Sequence, residues 1–252
     1  METAMKKIFS GLLALSLAAL LSAQDVTFGV GARGSFGLGF GSMLTGNIWD
    51  DASVQPLKSH IAGGALVGRI NFDYGWGLFV QPEIGFYHNQ VAWKVEDSEI
   101  LFSGKYDYEF EGTYSYSSID VPIIIGDDIE VGLSTLISPY IGINLSFPVG
   151  SINASFDSGT MTHNTNGVSV TESYKPDSSA SMDGKFGVIP GVLMGCSVGY
   201  EFDSHNALMG DLRFLTDFTQ IKGEYKIGGS TEEIKVLTRR GLSLGVSYIY
   251  FF

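Results

Sequence analysis

The chain has 252 residues, a formal net charge of −12, 33 glycines, 17 phenylalanines, 12 tyrosines and a single cysteine. Such a balance repels nucleic acid and anionic lipid surfaces, and one cysteine, Cys196, excludes an intramolecular disulfide. Beyond residue 23 no stretch approaches 18 consecutive apolar residues, which excludes membrane-spanning helices, and the glycine and aromatic content points to strands.

The N-terminus reads as a removable secretory signal peptide over residues 1–23. Lys6 and Lys7 are its positive region, Ile8 to Leu21 its apolar run, and Ala23 precedes the expected cut. Its removal takes Lys6, Lys7 and Glu2, leaving 13 Lys and Arg against 26 Asp and Glu. Residues 24–252 are expected to form one domain.

That domain begins with strict alternation over 26–40. Val26, Phe28, Val30, Ala32, Phe36, Leu38 and Phe40 share one parity; Thr27, Gly29, Gly31, Arg33, Ser35, Gly37 and Gly39 share the other. Period 2 places the two sets on opposite faces of a strand. Fifteen residues at about 3.4 Å each reach about 50 Å, enough to cross an apolar band about 25 Å tall at a steep tilt. Over 61–74 the apolar face is expected to be Ala62, Leu66, Ile70, Phe72 and Tyr74, opposite Arg69, Asn71 and Asp73. Over 78–88 it is Leu78, Val80, Pro82, Ile84 and Phe86, opposite Gln81, Glu83 and Tyr87. Tyr106, Tyr108, Phe110, Tyr114 and Tyr116 form the outward set of 105–116, after which the apolar parity moves to Ile119, Val121, Ile123 and Ile125. A bulge near Ser117 and Ser118 is the expected cause. The pattern returns over 139–149, 185–202 and 207–218, and over the last stretch from Leu242 to Phe252.

These segments number eight. Short connections at 73–77, 126–132 and 203–206 alternate with long ones at about 42–60, 89–104, 151–183 and 219–239. The longest, 151–183, has 12 Ser and Thr among 33 residues and no periodic apolar set, so it is expected to be exposed and mobile. Soluble sandwiches and lipocalin-like barrels alternate as well. Strand length, the sorting of loops by side and a non-apolar parity of Gly and Ser favour an eight-stranded antiparallel transmembrane β-barrel, with short periplasmic turns and long extracellular loops.

The ending Tyr248, Tyr250, Phe252 resembles the final strand of outer-membrane β-barrel proteins, which typically closes on Phe with apolar residues at alternate positions before it. "FVQPEIGF" (79–86), "IDVPIII" (119–125), "PYIGINLSF" (139–147) and "MGDLRF" (209–214) look like strand motifs of the outer membrane protein β-barrel domain family, of the PorT and OmpX-like kind. The resemblance implies residence in the bacterial outer membrane, contact with its lipid, and reading of Tyr248, Tyr250 and Phe252 by the barrel-assembly machinery. It implies no cofactor.

The expected inward parity collects Arg33, Arg69, Glu83, Asp120, Glu201, Asp211, Arg213 and Asp217. Two readings are open: ion pairs that fill the barrel, since buried charges must be paired, or a gated polar channel. His60, His88, His163 and His205 show no metal spacing, and no Ser–His arrangement stands out as catalytic. The chain is expected to be a monomeric, non-enzymatic barrel. Its role is structural or adhesin-like, with a host or cell-surface ligand contacted through the loops; the alternative is a small channel or transporter for small or hydrophobic solutes.

Overall fold

The computed structural model describes residues 26–39, 42–43, 53–72, 77–101, 104–132, 134–165, 168–174, 179–184, 187–219, 221–227 and 230–252. The expected signal peptide, with Phe40, Asp73, Tyr74 and Phe186, lies outside them. The elements are strands: β1 (Val26–Gly39), β2 (Ser42–Met43), β3 (Ser53–Phe72), β4 (Leu78–Leu101), β5 (Gly104–Asp127), β6 (Ile129–Glu130), β7 (Thr135–Thr165), β8 (Val168–Tyr174), β9 (Ser179–Gly184), β10 (Ile189–Asp203), β11 (Asn206–Asp217), β12 (Ile221–Ile227), β13 (Ser230–Thr238) and β14 (Arg240–Phe251).

Eight of them close a ring. In order around it, β1 pairs with β3, β3 with β4, β4 with β5, β5 with β7, β7 with β10, β10 with β11, β11 with β14, and β14 again with β1. Every pairing is antiparallel, so the ring has no free edge and each wall strand finds backbone partners on both sides. β11 and β14, 12 residues each, cross a layer about 30 Å thick at the tilt such barrels adopt.

Alternation sorts the side chains. Phe28, Phe36, Leu66, Ile84, Ile141 and Leu244 face outward and are exposed, whereas Arg33, Arg69, Glu83, Asp211 and Arg213 face inward and are buried. The inner surface of β14 is lined by small residues because long side chains from the flanking strands β1 and β11 close over it. A β-carbon at Gly245 would fall on the Arg33 guanidinium and the Asp211 carboxylate. Apolar residues fill the interior near the short turns: Val67, Ala207, Met209, Ile249 and Phe251 form one cluster, and Phe79, Ile124, Tyr140 and Leu193 another. At the 203–206 turn the Asp203 carboxylate accepts the backbone N–H of His205 at 2.8 Å and the Asn206 amide. These bonds to the charged form hold it below the usual carboxylate range.

Four expectations are corrected. Residues 89–101 are not a loop: they extend β4 and pair with β5 as a hairpin in unbroken register from Gly85↔Asp120 to Leu101↔Gly104. Residues 53–60 belong to β3, 151–165 prolong β7, 168–174 and 179–184 are strands, and 221–238 holds the β12–β13 hairpin. Tyr114 and Tyr116, expected outside, are buried on the inner parity, because the same even-numbered set of β5 stays inside from Tyr114 through Ser118 and Asp120 to Ile124. Phe72, also expected outside, is buried where β3 ends.

No bulge on β5 accounts for the change of pattern at Ser117. The backbone parity runs straight through, and it is the polarity of each face that inverts. Below Ser117 the odd positions of β5 carry Ile119, Ile123 and Ile125 outward; above it they carry Lys105, Asp107, Glu109 and Glu111. Irregularity falls instead on β7, where three residues, 150–152, lie between Val149 and Asn153, the partners of Ser117 and Ser115. Gly150 lies within this step with φ of +78°, a conformation that side-chain-bearing residues rarely adopt. A second extra residue, Asp157, separates the partners of Glu111 and Gly112.

Gly245→Ala should lower stability by about 1–3 kcal/mol through overpacking, whereas Gly210→Ala, with open space at the β-carbon, should not. The comparison is read as the temperature at which the folded, fast-migrating gel band is lost.

Candidate functional site

Among the described residues, two clusters of charged groups occupy the interior. The larger runs across the barrel as a chain of hydrogen bonds. Arg33 of β1 holds Asp211 of β11 with both prongs, Nε to Oδ1 at 2.8 Å and Nη2 to Oδ2 at 2.9 Å, and its Nη1 donates to the Tyr87 hydroxyl at 3.3 Å. The Tyr140 hydroxyl of β7 donates to Asp211 at 3.0 Å and accepts from Arg213 Nε at 3.3 Å. Arg213 in turn grips Glu83 of β4 with two bonds of 2.9 Å. Gln81 donates to Glu83 at 2.7 Å and accepts from Arg69 of β3 at 2.9 Å, and Arg69 ends the chain on Asp128 at 2.6 Å while stacking over Phe79 at 3.6 Å. Forked guanidinium–carboxylate pairs are the strong form of such contacts, and burial makes each partner obligatory to the other.

The smaller cluster lies toward the long-strand end. Arg239, the residue before β14, donates to Asp120 of β5 at 2.8 Å and to Asp217 of β11 at 3.1 Å. Ser146 of β7 donates to Asp120 at 2.7 Å, and Asn144 does so at 3.5 Å. Tyr114 and Tyr116 are buried near this end of the barrel. Between the clusters is a cavity of about 30 Å³ lined by Arg33, Tyr87, Asp120, Asn144, Arg213 and Arg239, and a second of about 10 Å³ touches Arg69, Gln81 and Tyr140. Spaces of this size hold a water or two and no solute.

Of the charges expected inside, Arg33, Arg69, Glu83, Asp120, Asp211, Arg213 and Asp217 are buried in these clusters, while Glu201 is only partly buried and meets Arg69 and Asp128 of the larger one through electrostatics alone. Arg239 and Asp128 were missed because 219–239 and 126–132 read as connections. Parity finds both: Arg239 precedes the inward Gly241, Gly245 and Ser247 in step, and Asp128 follows the inward Asp120, Pro122 and Ile124.

No protein-family model and no curated protein matches the chain. Among solved structures, it is similar to a major outer membrane protein of Thermus thermophilus, at 14% identity over 91% of this chain and 100% of that one, with a TM-score of 0.47. It is also similar to the outer membrane protein OprG of Pseudomonas aeruginosa, at 12% identity over 89% and 95%, TM-score 0.49. A third is Ail, the attachment invasion locus protein of Yersinia pestis, at 10% over 90% and 99%, TM-score 0.31.

Past the barrel, β4, β5, β7 and β8 continue as a sheet with two unlike faces. Residues directly opposite across an antiparallel pair share a face. One face carries Lys105, Asp107, Glu109 and Glu111 of β5 opposite Asn164, Thr162, Thr160 and Ser158 of β7. There Lys94 bonds Glu96 at 2.8 Å and Glu109 at 3.0 Å, which raises its ammonium above the ordinary lysine value. The other face carries Tyr106, Tyr108 and Phe110, stacked in sequence at centroid distances of 6.3 and 6.4 Å, with Tyr106 flat on His163 at 4.2 Å.

Arg213→Ala should leave the fully buried Glu83 carboxylate without its cation and cost about 3–5 kcal/mol. The folded band should persist but be lost at lower temperature. Arg213→Met combined with Glu83→Gln, which removes the uncompensated charge, should recover much of that loss.

Proposed function

We propose that this chain is an integral protein of the bacterial outer membrane, with a filled barrel as its anchor and the protruding sheet as its working surface. It acts by surface interaction rather than by conduction or catalysis. One observation carries the reading: the inversion of face polarity along β4 and β5. On the outward parity, Leu78, Ile84 and Phe86 give way to Lys94 and Glu96 on β4, as Ile125 and Ile119 give way to Glu111 and Glu109 on β5. An apolar medium around the ring and water beyond it would select that change, and it falls at the same level on both strands.

Aromatics support the second boundary of the apolar layer. Phe28, Tyr200, Phe202, Tyr248, Tyr250 and Phe252 are exposed at the short-turn end, with Tyr200 and Phe202 meeting edge to face at 5.3 Å and Tyr250 and Phe252 at 5.5 Å. Such rings favour a lipid–water interface. In this orientation the short turns are periplasmic, the sheet is extracellular, and the barrel is a lipid-embedded monomer of the OmpX-like kind. The filled interior supports an anchor over a channel, since the path is crossed by Arg213–Glu83 and again by Arg239–Asp120. Tyr248, Tyr250 and Phe252 are assigned as the signal for the assembly machinery.

Three experiments bear on this reading. In a planar bilayer the purified protein should be silent; discrete openings would favour the channel. In a Cys196→Ala background, Ser173→Cys should be labelled on intact cells by a membrane-impermeant maleimide, and labelling only after permeabilisation would reverse the orientation. Deleting Phe252 should leave little folded band at any temperature, because insertion rather than packing is lost.

A further inference from the structure

The aromatic face of the protruding sheet has a chemistry that specifies its partner. Tyr106, Tyr108 and Phe110 lie along β5 at every second residue, remain partly exposed, and present near-parallel rings with interplanar angles of 14° and 11°. Of the carboxylates, the exposed Glu172 shares the ladder's face: Tyr108 is opposite Met161 of β7, and Met161 is opposite Glu172 of β8. Across the four strands above Ser117 the sheet holds eight carboxylates against two lysines, Lys94 and Lys105, so an anionic partner is repelled.

Aromatic faces carry the negative part of the ring quadrupole and attract cations, arginine most often. A guanidinium laid on Tyr108 stacks on the ring, and a second basic side chain of the same segment reaches toward Glu172, two strands away. A neutral sugar would use the rings but leave Glu172 idle. We propose that this face docks a cationic polypeptide segment bearing arginine or lysine at alternate positions. The inference rests on the surface-interaction reading above and names its partner class.

The test uses the folded full chain in detergent and three fluorescent probes: a ten-residue Arg–Ser repeat peptide, its Glu–Ser counterpart, and maltoheptaose, with binding read by anisotropy. The Arg–Ser peptide should bind and the other two should not. Replacing Tyr106, Tyr108 and Phe110 together by Leu keeps apolar bulk but removes the rings, and should weaken binding about tenfold. Glu172→Gln should weaken it several-fold, while Glu109→Gln with Glu111→Gln on the opposite face should leave it unchanged. Should the triple variant fail to fold, the contrast between Glu172 and the Glu109/Glu111 pair decides the matter. Equal binding by the Leu variant, equal loss from the opposite-face variant, or binding of maltoheptaose alone would overturn the proposal. Surface labelling at Ser173→Cys separates the two levels: a labelled protein that ignores the peptide loses only this inference, whereas an unlabelled one loses the surface reading itself.

Discussion

Eight strands closed on themselves leave an interior about one pair of long side chains wide, and whatever enters it must find its partners there. Most of what is distinctive in this chain follows from that constraint. Arg213 and Arg239 reach across the barrel because only a long side chain spans it, and Gly245 leaves room for the Arg33–Asp211 pair that closes over β14 from its two neighbours. Tyr140 and Gln81 sit between the ion pairs as neutral relays, so Asp211 and Glu83 have further hydrogen-bond partners besides their arginines. The apolar clusters fill the remaining section near the turns.

The wall was legible in the sequence wherever lipid-type and interior positions alternate cleanly. On β1, β10 and β14 the parity alone separated Phe36, Val198 and Leu244 from Arg33, Ser197 and Ser247. Legibility failed above the ring for a physical reason. Period 2 records the contrast between the two faces of a strand but not which face is which, and that assignment came from assuming apolar means outward. Once β4 and β5 leave the apolar layer, the outer face meets water and the rule reverses. Tyr114 and Tyr116 were misplaced by that assumption, and a change of medium was read as a bulge.

The interior clusters were legible as membership but not as wiring. Parity placed Arg33, Glu83, Asp211 and Arg213 together without indicating which acid each arginine takes, because pairing depends on the stagger between strands far apart in sequence. Arg239 and Asp128 were lost at the ends of strands, where a single residue's parity is outweighed by neighbouring turn-forming residues. The sheet beyond the ring was the least visible element. Its Ser and Thr content matches that of a solvated loop, and only the register reveals that these residues form a ladder opposite an aromatic face.

The span of the ion pairs along the chain bears on how the barrel is made. Arg33 and Asp211 are 178 residues apart, Arg213 and Glu83 are 130, and Arg239 and Asp120 are 119. A sheet with a missing or misregistered strand would therefore hold naked guanidinium groups against hydrocarbon or in a half-formed lumen, where charge is heavily penalised. Partial products can form the local bonds, such as Arg239 to Asp217, but the three long-range pairs come only with the complete ring. The clusters thus serve as a proofreading step built into the product, rewarding only the arrangement in which first and last strands have met.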